Sequence, residues 1–216
     1  MTIVTTGGEK DARRFFEEWP VFLLGGYLNS RCDFIASEWT TGTGQRVDFV
    51  IVESISTIVK IHLIELESPT DKLYVRESKP KVGNPSPTFR TMSKNLRVAI
   101  DQIAAYTNWI VENPWPFRQS LVQRAEEALP LKVSSSLLDH QVKLHINGIV
   151  VIGNRSLEDI AAREHRAAFN QSGGVEIAPF DRILDFLDRI ENAHSADYWE
   201  DFNNQVKRYG FLRRVT

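Results

Sequence analysis

Apolar positions along the chain change their period several times, and each change marks an element. Over residues 10–19 they recur at helical spacing, with Ala12, Phe15, Phe16 and Trp19 on one face, and Pro20 ends the helix. Residues 32–39, 47–52 and 58–67 are instead rich in β-branched and aromatic side chains, which predicts three strands in succession. Thr40-Thr41-Gly42-Thr43-Gly44 supplies a turn between the first two, and Ser68-Pro69 ends the third. Periodicity then lapses: Pro80, Gly83, Asn84, Pro85 and Pro87 predict a long irregular loop over residues 70–90. Helical spacing returns over residues 91–112, where Leu96, Ala99, Ile100, Ile103 and Thr107 form the inward stripe and Lys94, Arg97 and Asp101 lie off it. Pro114-Trp115-Pro116 breaks that helix, a short one covers residues 117–129, and Ser134 to Ser136 reads as a linker. Residues 142–152 form another strand, and its nearly unbroken apolar run Gly148-Ile149-Val150-Val151-Ile152-Gly153 suits burial on both faces, hence a partly parallel sheet. Ser156 with Asp159 caps a helix that reaches Phe169, and Val175-Glu176-Ile177 is a short strand. Ile183, Leu184, Phe186, Leu187 and Ile190 line an amphipathic helix over residues 179–190, and a last helix covers 194–209 before Gly210.

This order of elements predicts an α/β domain over residues 11–192, preceded by a frayed polar stretch, residues 1–10, and followed by a helix and tail, 193–216. Composition changes that picture little: 216 residues with 42% hydrophobic and 25% charged side chains describe an ordinary globular chain. A net charge of −2 removes any overall basic field, so contact with nucleic acid has to come from local clusters. Cys32 is the only cysteine, which excludes an internal disulfide and a cysteine zinc site and fits a reducing compartment. Val21-Phe22-Leu23-Leu24 is too short to span a bilayer, Met1 to Glu9 carries no secretory signal pattern, and a cytoplasmic protein is expected.

The chemistry concentrates where acids interrupt the strands. Asp48 lies one residue into the second strand, and Glu65 and Glu67 end the third. Side chains two apart on a strand share a face, which sets the Cα atoms of Glu65 and Glu67 roughly 6.5 Å apart. If the strands pair, Asp48 joins them, and carboxylates beside apolar strands call for compensation, for which a hard divalent cation serves. On their own the same acids read more readily as solvated strand ends. Lys72, Arg76, Lys79, Lys81 and Arg90 make the 70–90 segment basic, either as a phosphate-contacting loop or as a surface loop. Gln102 and Tyr106, four apart, share one helical face.

An acid opening one strand and an acid-x-acid ending the next resembles the PD-(D/E)XK nuclease superfamily, with Glu67 at the position where most members carry lysine. More of the chain resembles one branch, the Shedu anti-phage nuclease domain: Phe15-Phe16-Glu17-Glu18-Trp19-Pro20-Val21-Phe22-Leu23-Leu24, Gln45-Arg46-Val47-Asp48-Phe49, the run from Ala99 to Tyr106 with its Gln-x-x-x-Tyr spacing, and Gly148 to Arg155 followed by Phe180-Asp181-Arg182-Ile183-Leu184. The resemblance implies a restriction-endonuclease-like core of helix, three-stranded meander, helix and strand. It implies a metal-dependent DNA endonuclease in which Asp48, Glu65 and Glu67 hold Mg2+ or Mn2+ and Gln102 and Tyr106 brace the site or contact DNA. Glu17 or Glu18 would add a helix acid, or be solvated helix charges. Lys79, Lys81, Arg90, Lys94 and Arg97 would form the face that meets DNA, and the working unit is expected to be a homo-oligomer. The alternative is a module that keeps the fold and binds or senses DNA without cutting it.

Overall fold

The computed structural model describes residues 7–28, 32–42, 44–55, 57–76, 90–128, 135–193, 196–209 and 211–212. Helix α1 (Glu9–Glu18) buries Ala12 and Phe16 and stops at Trp19, before a helical turn (Val21–Leu23) that runs into a π-helical turn (Leu24–Leu28). Strands β1 (Phe34–Thr40), β2 (Arg46–Ile55) and β3 (Ile58–Leu66) follow as an antiparallel meander, with Ser37 opposite Phe49 and Phe49 opposite Ile64. Strands β4 (Tyr74–Arg76) and β5 (Arg90–Met92) pair with each other in a separate ribbon. Helices α2 (Lys94–Glu112) and α3 (Pro114–Ala128) lead to β6 (Lys143–Val151), which lies parallel to β3. Helix α4 (Ile160–Ser172) crosses to β7 (Val175–Ala178), parallel to β6, and helices α5 (Arg182–Ala193) and α6 (Ala196–Tyr209) complete the helical part. The sheet order is β7-β6-β3-β2-β1, extended at the β1 edge by the two-residue strand β8 (Phe211–Leu212).

This mixed sheet separates two cores, as expected from strands whose apolar runs hardly alternate. On one face, Val50, Val52, Ile61, Leu63 and Val150 pack against Leu96, Ala99, Ile103, Tyr106 and Ile110 of α2 and Phe117 and Leu121 of α3. On the other, Phe49, Ile51, Ile64, Ile149 and Val151 pack against Ala12 and Phe16 of α1, Leu23 to Tyr27, and Ile183 of α5. Helix α2 approaches β6 so closely that a Cβ on Gly148 would stand 2.2 Å from Ile103 Cγ2, so this position needs a glycine. At the far end of the chain, buried Asn203 of α6 accepts the Val21 N–H at 3.4 Å and donates to the Glu18 carbonyl at 3.1 Å, tying α6 to the end of α1. Among the described residues no helix is long and apolar enough to cross a membrane.

Several boundaries differ from the sequence expectation. Residues 91 and 92 are strand rather than helix, and residue 90 strand rather than loop, because β5 finds β4 as a partner, and α2 starts after Ser93, whose hydroxyl accepts the Leu96 N–H at 3.2 Å. Pro114 and Pro116 begin α3 instead of preceding it, since the first helical turn needs no backbone donors. Asp159 caps α4, accepting the Ala162 N–H at 3.0 Å, while Ser156 sits in a 3-10 turn (Arg155–Leu157). The inward stripe of α2 runs through Tyr106 rather than Thr107, which is only half-buried. The basic segment 77–89 lies outside the described residues.

Candidate active site

Asp48 and Glu65 stand one residue beyond the Phe49–Ile64 pair, on neighbouring strands. By alternation Asp48 shares the face of Val50 and Val52, and Glu65 that of Ile61 and Leu63, which is the face covered by α2. Both are buried, at 3% and 6% exposure. With Glu67 they line a cleft of about 380 Å³ together with Glu9, Arg13, Gln45, Arg46, Leu66, Val98, Gln102 and Tyr106. The five residues expected at a site, Asp48, Glu65, Glu67, Gln102 and Tyr106, therefore meet in one place, drawn from β2, the end of β3 and α2.

Asp48 is held from both sides. Its Oδ2 accepts the Leu66 N–H at 2.8 Å, and its Oδ1 meets Arg13 Nη2 at 2.6 Å. Burial raises the Asp48 carboxyl above its ordinary range even though the Arg13 guanidinium and the Leu66 N–H pull it down. Burial, reinforced by the charge of Asp48, pushes Glu65 up to about 9. Glu65 Oε1 is buried with no hydrogen-bond partner. Glu67, just past β3, is pushed up to about 7 by burial and then by Glu9, Asp71 and Asp48. Tyr106 is raised by burial and by Glu65, and its hydroxyl donates to the Arg46 carbonyl at 2.8 Å. Two like carboxyls buried side by side resist double ionisation, so a proton or a cation has to occupy the space between them.

Sequence reasoning did not place Glu9, Arg13 or Arg46 here. Arg13 Nη2 also meets Glu9 at 2.9 Å, and Arg13 Nη1 meets Glu38 at 3.2 Å. Arg46 Nη1 meets the same Glu38 oxygen at 3.0 Å. The available signal was the Glu9–Arg13 spacing of four on the first helix. Glu17 and Glu18 of that helix do not line the cleft, since they lie a turn further along it. Lys94 and Arg97 are exposed on the first turn of α2 and do not line it either, whereas Val98, the next residue, does. Arg90 lies in β5 by its backbone, and Lys79 and Lys81 lie outside the described residues.

Among the described residues no three or more His, Cys, Asp and Glu side chains are grouped so as to hold a metal ion. Asp48 and Glu65 as a pair still suit a hard cation: both are oxygen donors, and the unpartnered Glu65 Oε1 is a buried acceptor in need of a positive charge. Mg2+ keeps several of its waters and takes only one or two carboxylates, so the pair is sufficient and Glu67 need not close a cage.

A family model described as Shedu protein SduA, C-terminal, matches residues 7–184. No curated protein matches the chain.

Proposed function

The chain belongs to the Shedu SduA C-terminal family, which implies a role in anti-phage defence, and on that premise we propose that it is a divalent-metal-dependent DNA endonuclease. The observation that carries the reading is the pair of buried carboxyls, Asp48 and Glu65, set side by side in an open cleft with Glu65 Oε1 unpartnered. The order α1, meander β1-β2-β3, α2 and parallel β6 supports a restriction-endonuclease-like core of the PD-(D/E)XK type. Asp48 and Glu65 would hold Mg2+ or Mn2+, and a bound ion supplies charge neutralisation at the phosphate and a more acidic water. The Leu66 N–H and Arg13 keep Asp48 oriented, and Tyr106, anchored on the Arg46 carbonyl, walls the site beside Glu65. Glu67 cannot supply the positive charge of a lysine; near neutrality its carboxyl is poised to accept a proton or to join the ion.

A DNA-binding or DNA-sensing module without cleavage is the second reading, and two observations favour it: Asp48 already meets a cation, Arg13, and Glu67 offers no positive charge. A plasmid-nicking assay with and without Mg2+ decides. Nicking that needs the ion and is lost in both Asp48→Asn and Glu65→Gln upholds the nuclease. Nicking by either variant at the wild-type rate removes the metal site, and DNA binding with no nicking by the wild type selects the second reading.

A further inference from the structure

We infer that Arg46 is the residue that receives a DNA phosphate at the cleft, an assignment that takes its substrate from the nuclease reading. Among the described residues lining the cleft only Arg13 and Arg46 are cations, against the acids Glu9, Asp48, Glu65 and Glu67, so an anionic backbone has few places to dock. Arg13 is engaged: its guanidinium meets Asp48, Glu9 and Glu38 at 2.6, 2.9 and 3.2 Å, and its side chain is 18% exposed. Arg46 differs on each count. Its side chain is 40% exposed and its ion-pair partner among the described residues is Glu38, at 3.0 Å. A guanidinium has five N–H donors in a planar fork, so most of those on Arg46 remain for a bidentate phosphate contact.

Its placement is fixed from three directions. Arg46 begins β2 two residues before Asp48 and so starts on the same face of the strand. The Tyr106 hydroxyl, in the same cleft, donates to its backbone carbonyl at 2.8 Å. Glu38 reaches it from β1 with φ 50°, the one positive φ among described non-glycine residues; such a backbone persists only where its surroundings impose it. That conformation sets Glu38 Oε1 between the two guanidinium groups, 3.2 Å from Arg13 and 3.0 Å from Arg46. One arginine is thereby turned inward to Asp48 and the other left at the mouth.

The test is fluorescence anisotropy of an end-labelled DNA duplex with the full chain in EDTA, across a salt series, beside cleavage kinetics in Mg2+. Arg46→Gln is expected to weaken binding about tenfold, one charged hydrogen-bonded contact, and to reduce the salt slope by about 1. Arg46→Lys keeps the charge and is expected to hold the slope while losing part of the affinity, because an ammonium cannot bind bidentately; it also serves where Arg46→Gln does not fold. An unchanged slope in Arg46→Gln, with the loss appearing instead in the Lys79→Gln/Lys81→Gln double variant, overturns the assignment. Mg2+-dependent cleavage by Arg46→Gln with wild-type KM and kcat overturns it too while upholding the nuclease. Failure of the wild type to cleave sinks the nuclease alone and leaves the anisotropy to decide Arg46.

Discussion

Glu65 holds its proton differently in the two states of the chain. In the folded protein burial pushes its carboxyl from an ordinary 4.5 up to about 9. Between those values the native state binds more protons than the unfolded one, so stability declines as pH rises through the window and levels off above it. Thermal unfolding in EDTA is therefore expected to shift to lower temperature from about pH 5 to about pH 9, and Glu65→Gln to flatten that dependence and melt higher at the alkaline end. An unchanged slope in Glu65→Gln would assign the proton to another group. A divalent ion held as proposed by Asp48 and Glu65 would compete for the same oxygens and would bind only the folded state, so it should raise the melting temperature most at alkaline pH. Glu67, pushed to about 7, is expected to contribute to that rise, and Glu67→Gln to shrink it; an identical shift in the variant would leave Glu67 a bystander at the strand end. Strand alternation and helix spacing are local rules, so the sequence could set Glu65 and Glu67 on one strand face and Gln102 and Tyr106 on one helical face, while that these faces and Asp48 line one cleft is a matter of packing. Arg13 was not, since its partner Asp48 comes from another element and only the packing of α1 on the sheet brings them together. Arg46 was visible as part of a phrase, but its carboxylate partner depends on a strained residue, Glu38, whose backbone nothing local announces.

At the scale of elements, the contact between β6 and α2 helps place α2, which carries Gln102 and Tyr106 into the cleft. Gly148 makes that contact possible. Gly148→Ala would drive a methyl into Ile103 and is expected to cost about 1 to 3 kcal/mol in urea unfolding. Cleavage should fall further than stability accounts for, as Tyr106 moves with its helix; wild-type values of both would mean that Ile103 yields without moving α2. The meander and the parallel strand were readable because β-branched runs of that length have few other uses. The start of α2 was not, since residues 91 and 92 are strand only by virtue of β4. Pro114 and Pro116 misled in the opposite direction: a proline breaks a helix from within but is at home in its first turn.

At the scale of the molecule, the sheet divides the labour between its faces. The α2 face carries the acids, while the other face seats α1, which sends Arg13 round to them. What keeps α1 seated includes α6, through Asn203 on the Glu18 carbonyl at the end of α1; α6 also packs on α5, where the Trp199 ring meets that of Phe186 edge-on at 5.3 Å. A chain ending at Ala193 is expected to lose hydrogen-exchange protection in α1 before it loses any in β3. Equal protection in the two chains would show that α6 is a passenger.

The Asn203 fastening also bears on how the protein can be trimmed. The stretch shared with the family stops at residue 184 and includes each residue that lines the cleft, yet Asn203 lies beyond it. A fragment cut to the shared stretch would keep the whole toolkit and lose the clasp that holds its first tool in the workpiece. Inactivity of such a fragment would then reflect where the scissors fell, and only the intact chain can speak for the acids.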